Sequence, residues 1–343
     1  MNSQRPTSLS RAAALLAGAL LSLFTVSCSK PSGLSSLPDS SQKLTVALMP
    51  KSKGNAYFIS CRQGAEAAAN ETGIELLFDG PTDPDPARQN ELIENWTTLG
   101  VDVIAVACEN PEGISSALRK ARQKGIKVLT YDSDSAPDTR DFFVNQATPE
   151  GIGHTLMDEA ARLTESEGEF AIITASLTAA NMNAWRKHIE SRLSEKYPSM
   201  KLVATKPCDD LKDKAQAETT ALLSAYPKLK LIMAICSPGV PGAAEAVKQA
   251  GKTGAVKVIG LGLPNENRAY IKQGVTQSIV LWKTLDLGYL TAHAAAALGR
   301  GSLRTGAQSY SAGRLGDVSV AGDHILLGEP FIFQKDNIDQ FDF

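Results

Sequence analysis

Apolar positions along this chain fall into two rhythms. Short unbroken apolar runs bounded by Gly, Pro or Asp alternate with longer segments whose apolar residues recur at helical spacing. From Lys43 onward, Leu44 to Met49, Glu75 to Phe78, Val103 to Ala107, Lys127 to Tyr131 and Asp141 to Val144 read as strands. Tyr57 to Thr72, Ala87 to Leu99 and Pro111 to Lys124 read as the helices between them. The pattern then restarts, with strands at Phe170 to Ala175, Lys201 to Lys206, Lys230 to Ile235 and Val256 to Leu261. Its helices run Pro149 to Thr164, Ala179 to Lys196, Ala215 to Ala225 and Val240 to Ala250. A helix at Asn265 to Lys272, a strand at Gln277 to Leu281 and a helix at Leu285 to Leu298 follow. Strands apolar throughout and separated by helices belong to parallel sheets covered on both faces. The pattern predicts an α/β chain with two similar doubly wound lobes.

The stretch before Lys43 follows neither rhythm. Arg5 and Arg11 lead into an apolar segment, Ala12 to Val26, which stops at Ser27-Cys28. A charged head, a short apolar run and a following Cys read as a lipoprotein signal peptide over residues 1–27, with Cys28 as the lipid anchor; cleavage without lipidation is the plainer alternative. Residues 28–42, rich in Ser, Pro and Gly, read as a flexible tether. The expected location is therefore periplasmic or at the cell surface, tethered to a membrane.

Charge and motifs narrow the function. The formal net charge is −2 and no basic stripe appears, which argues against nucleic acid as a partner. A DNA-reading helix-turn-helix would have to precede Lys43, where the apolar segment stands. His154, His188, His293 and His324 have no metal spacing, so no metal and no cofactor is expected. Cys61, Cys108, Cys208 and Cys236 are expected as free, mostly buried thiols, because Cys208 and Cys236 end strands that another strand separates. Nucleophile-elbow, phosphate-loop and zinc-protease motifs are missing from the sequence, and no enzyme is expected. A secreted glycoside hydrolase using Asp132 and Asp134 remains a remote alternative, since carboxylates two apart on one loop do not obviously flank a scissile bond.

In doubly wound sheets ligands bind beyond the carboxyl ends of the strands. The first strand is followed by Lys51, Asn55, Tyr57 and Phe58, and the fourth by Asp132 and Asp134. Such cations, amides, carboxylates and rings suit a polyhydroxylated ligand, polar groups pairing with hydroxyls and rings covering C–H faces. The second lobe offers Asn181, Met182, Cys208, Asp209, Ser237 and Gly262, a less charged rim. Each has a plainer reading: Lys51 and Asp132 as a solvated pair, Asp134 as a turn cap, one of Tyr57 and Phe58 as core, Trp282 as core packing.

The entry Lys51-Ser52-Lys53-Gly54-Asn55-Ala56-Tyr57-Phe58 resembles that of the ribose-type periplasmic sugar-binding proteins of ABC transporters. Phe78 to Thr82, Tyr131 to Asp134, Asn145 to Pro149 and Phe333 to Phe343 are similar to the autoinducer-2-binding and rhamnose-binding branch. The resemblance covers nearly all of the chain after residue 42. It implies a type I periplasmic binding protein, two lobes joined by a three-segment hinge: lobe I is 43–146 plus 262–316 and lobe II is 147–261 plus 317–343. It implies Lys51 and Asp132 on the ligand, and it places Trp282 at the ligand or the hinge. Where autoinducer-2 proteins carry an Asp-Gln pair this chain has Asn181-Met182, and where they carry Pro-Asp-Ala it has Ile235-Cys236-Ser237. Met182 and Ile235 then favour a ligand with one apolar face, such as a rhamnose-like deoxysugar, over autoinducer-2. The implied partners are that sugar, an inner-membrane ABC permease and a possible chemoreceptor, with the binding protein itself a monomer.

Overall fold

A computed structural model describes residues 43–343. The signal peptide over 1–27, Cys28 and the 28–42 tether lie outside the described residues.

Lobe I opens with β1 (Thr45–Met49), α1 (Ala56–Thr72), β2 (Glu75–Phe78), α2 (Pro86–Leu99), β3 (Val103–Val106), α3 (Pro111–Gln123), β4 (Lys127–Tyr131) and β5 (Phe142–Asn145). The chain then crosses and builds α4 (Pro149–Thr164), β6 (Gly168–Thr174), α5 (Ala180–Lys196), β7 (Met200–Pro207), α6 (Lys212–Ala225), β8 (Leu229–Ala234) and α7 (Gly239–Gln249). Lobe II continues through β9 (Lys257–Leu261), α8 (Pro264–Lys272) and β10 (Ser278–Leu281). A second crossing returns α9 (Thr284–Gly299), β11 (Ser309–Ser311), β12 (Asp317–Ala321) and β13 (His324–Leu326) to lobe I, and a third sends β14 (Phe331–Gln334) to lobe II.

The lobe I sheet has the order β11-β12-β13-β5-β4-β3-β1-β2, and the lobe II sheet β14-β10-β9-β8-β6-β7. Their central strands are parallel and buried along nearly their whole length, as the unbroken apolar runs require.

The lobe boundaries differ from the sequence expectation at 262–281 and 317–326. Ser278–Leu281 pairs in parallel with β9 and antiparallel with β14, so α8 and β10 complete lobe II and the crossing falls after Leu281. Residues 317–326 pair within the lobe I sheet, where His324–Leu326 lies parallel to β5. An apolar run such as Ser278-Ile279-Val280-Leu281 demands cover on both faces but carries nothing that selects between two such sheets.

Local chemistry fixes the helix starts that bear on the site. Asn55 caps α1, its side chain accepting from the Tyr57 amide, and Asp85 and Asn110 cap α2 and α3 ahead of prolines. α1 then packs against α9 at close range because both present glycine. A Cβ on Gly64 would sit 1.8 Å from Leu285 O, and one on Gly288 would sit 1.7 Å from Cys61 O.

Candidate functional site

The strand ends of the two lobes face one another across a small cavity. Lobe I contributes Lys51, Asn55, Tyr57, Phe58 and Asp132. Lobe II contributes Asn181, Met182, Ile235 and Ser237, and Trp282 stands at the second crossing. All of these were expected from the sequence. The structure adds Trp185, Asp210, Cys236, Leu261 and Leu281.

Asp134 does not line this cavity, contrary to the expectation. Arg140, almost fully buried, holds it in a two-pronged ion pair, Nε to Oδ1 at 2.5 Å and Nη2 to Oδ2 at 2.7 Å. The same guanidinium reaches Asp323 at 2.8 Å, in the turn between β12 and β13. Asp134 therefore ties the edge of the lobe I sheet together. It stands apart from Asp132 in role, which removes the carboxylate pair on which the hydrolase alternative rested.

Buried polar groups in the cavity form a relay. Trp282 Nε1 donates to Tyr57 Oη at 2.9 Å, and Tyr57 Oη donates to Asp132 Oδ1 at 2.9 Å. Lys51 Nζ lies 4.0 Å from Asp132 Oδ2. Buried Gln89 sets the height of the Lys51 segment, donating to the carbonyls of Pro50 and Ala107 and accepting from the Glu109 amide. Asp132 itself adopts φ +60°, in the left-handed region that Asp tolerates better than most residues. Burial raises the Asp132 carboxyl above the ordinary range, while Lys51 and the Tyr57 hydroxyl oppose the rise.

Asp210 is the most informative residue that sequence reasoning missed. It follows β7 with φ +58°, and its Oδ2 accepts from Asn55 Nδ2 at 3.4 Å. The residue as a whole is half-buried, yet its Oδ1 is sealed from solvent, with the Cys236 thiol near the carboxyl and favouring its charged form. Burial pushes its carboxyl up to about 6; Lys51 opposes that shift, and the carboxylates of Glu109 and Asp132 add to it. Two acids thus share the cavity with one ammonium, an electrostatic setting that disfavours an anionic ligand.

Rings and aliphatic groups complete the lining. Trp185 and Trp282 have ring centroids 6.2 Å apart, and Tyr57 meets Trp282 edge to face at 6.1 Å. Met182 turns its sulfur toward its own lobe, where the Ala175 amide donates to it at 3.3 Å. Trp185 was recoverable in principle, since it lies one helical turn beyond Asn181 and Met182 and so shares their face.

Four contacts join the lobes around this cavity. Lys51 donates to Asn181 Oδ1 at 3.4 Å, Asn55 to Asp210 at 3.4 Å, Ser237 to Asn55 Oδ1 at 3.2 Å, and Asn181 Nδ2 to the Asp132 carbonyl at 3.4 Å. The rims are closed on one another, but every bridging bond is long and therefore weak.

A family model described as a periplasmic binding protein domain matches residues 46–302. A D-ribose/D-allose-binding protein of Pseudomonas aeruginosa is 28% identical over 256 residues, 70% of this chain and 78% of its own. The solved structure of a solute-binding protein of Clostridium phytofermentas with bound L-rhamnose is 32% identical with a TM-score of 0.83, covering 87% of this chain and 98% of its own. That of LsrB from Clostridium saccharobutylicum in complex with AI-2 is 27% identical with a TM-score of 0.83, covering 87% of this chain and all of its own. With its two parallel-sheet lobes, its strand-end cavity and a family match over most of its length, the chain belongs to the periplasmic binding protein family.

Proposed function

We propose that this chain is the substrate-binding component of an ABC importer and traps a neutral sugar with one apolar edge, a rhamnose-like deoxysugar. The observation that carries the reading is the mixed polar and apolar lining of the cavity. Lys51, Asn55, Asp132 and Asp210 supply polar groups suited to vicinal hydroxyls, and Met182, Trp185 and Ile235 supply apolar surface suited to a methyl group. The excess of carboxyls over ammonium groups argues against sugar phosphates and sugar acids.

Binding and closure are one event in this reading. The long bonds between the rims hold the lobes weakly, so a ligand that touches both rims supplies most of the difference between open and closed. A permease would read the closed form. A lipid on Cys28 and a short tether would keep the protein near that permease and raise its effective concentration there.

Thermal melts of the protein with L-rhamnose, D-ribose, D-allose, D-arabinose and autoinducer-2 test the proposal. A sugar at about a hundred times its dissociation constant adds about 2.7 kcal/mol. L-Rhamnose is expected to raise the melt most; no shift from any sugar would overturn the reading. Autoinducer-2 is the second reading, favoured by the buried Lys51 and Asp132, and a shift from it alone would select it.

A further inference from the structure

Cys208 follows β7 and Cys236 follows β8, the strands on either side of β6. The intervening strand was expected to keep these thiols apart. In the structure both are buried and their sulfurs lie 3.4 Å from each other. The Cys208 amide carries the pairing of β7 with β6 one bond further, to the carbonyl of Thr174, the last residue of β6, and Cys236 opens the turn into α7. Gly239 preserves the space they share, because a Cβ there would sit 2.7 Å from the Cys236 sulfur.

We propose that Cys208 and Cys236 are an oxidisable pair, joined as a disulfide in the exported chain and clamping the lobe II rim of the ligand cavity. The sulfurs need to approach by about 1.4 Å to reach bonding distance. Both lie just beyond the paired residues of their strands, so a side-chain shift leaves those pairings in place, the Cys208 amide bond to Thr174 included. A family that works in the periplasm meets an oxidising compartment. Cys61 and Cys108 provide the contrast, packed in separate apolar clusters on the two faces of the lobe I sheet.

The oxidant is a disulfide, either a small molecule or a protein. Cys236 lines the cavity, so opening of the lobes gives the donor access to it. Its thiolate attacks the donor disulfide, forming a mixed disulfide and releasing one donor thiol. The Cys208 thiolate then attacks the Cys236 sulfur and releases the second. The pair loses two electrons and two protons, and the donor gains both as two thiols. Its hydrogen bond with Cys208 and its burial push the Cys236 thiol well above its ordinary range. Exchange on the closed protein is therefore slow, and the bond forms chiefly while the chain folds or the lobes are open.

The bond is placed where it matters for binding. Asp210 lies two residues beyond Cys208, and Ser237 directly follows Cys236. Both line the cavity and both bond Asn55 across the cleft, so a clamp between their neighbours fixes the rim that closes.

The test needs no ligand, so its outcome is independent of the sugar reading. The full chain, exported or refolded with oxidised and reduced glutathione, is alkylated under denaturing conditions, digested and mapped by mass spectrometry. The expected result is a Cys208–Cys236 linked peptide about 2 Da lighter than the two thiol peptides together. Oxidised protein is expected to melt about 5 °C above the reduced form, and Cys208→Ala to fold cooperatively without that difference. Free alkylation of both residues after oxidation, or linkage of either to Cys61, Cys108 or a second chain, overturns the proposal.

Discussion

Replacing Tyr57 with Phe removes one oxygen and keeps the ring that packs edge to face on Phe58 and Trp282. That oxygen accepts from Trp282 and donates to Asp132, each at 2.9 Å, and both partners are about 5% exposed or less. A buried polar group stranded in this way costs about 1–3 kcal/mol, and two are stranded. Asp132 keeps Lys51 nearby and water in the cavity can reach it, so the lower part of the range applies, about 2–3 kcal/mol in total. At about 2 °C per kcal/mol for a body of this size, the ligand-free melt should fall by about 4–6 °C in calorimetry. Sugar affinity should also drop, by about tenfold in titration calorimetry, because the Tyr57 hydroxyl holds the Asp132 carboxyl down and orients it. A melt within about 1 °C of the parent, with unchanged affinity, would refute the relay as a working part of the site.

Other expectations follow from single residues. Because burial lifts the Asp210 carboxyl to about 6, above its unfolded value near about 4, its stabilising share is full below that lower value and is lost as pH rises through 6. Asp210→Asn should flatten this part of the slope in melts across that window. Sugar affinity, which needs the ionised acceptor, should rise over the same window in the parent and not in the variant. Asp134→Ala strands part of the Arg140 charge and should cost about 3 kcal/mol in urea unfolding, while sugar affinity stays within about twofold; loss of binding in a folded variant would restore Asp134 to the site. Gly288→Ala drives a methyl into the Cys61 carbonyl and should lower the urea midpoint by the equivalent of about 3 kcal/mol or more, since α1 and α9 have to separate. An unchanged midpoint would show that the two helices pack less closely than described.

Continuous apolar strands made the doubly wound lobes legible, and the rule that ligands sit beyond strand ends located Lys51, Asn55, Asp132 and Ser237 without further information. Asp210 escaped because the pattern singles out its neighbour Asp209 in the Asp-Asp pair after β7, and nothing in such a turn says which carboxylate faces the cavity. Its one signal was position: it stands in the loop after β7, as Asp132 stands in the loop after β4. Leu261 and Leu281 close their strands and were read only as strand residues, since an apolar side chain shows nothing of which way the last position faces. The pairing of β10 with β14 was illegible for a different reason. It depends on Phe331–Gln334, a short stretch about fifty residues later that no local pattern connects to Ser278–Leu281. Asp134 was misplaced because its partner, Arg140, belongs to a loop where the sequence offers no periodicity to align it.

The three crossings also govern the order in which the molecule can be finished. β13 and β14 are synthesised after every other strand, yet one completes the ladder beside β5 and the other covers β10. Ribosomes need tens of seconds for a chain of this length. Throughout that time both sheets lack a neighbour, and Arg140 lacks the Asp323 that joins it from the β12–β13 turn. Neither sheet is therefore complete until the chain has been made past Gln334, so both lobes reach their final ladders together, at the very end of synthesis.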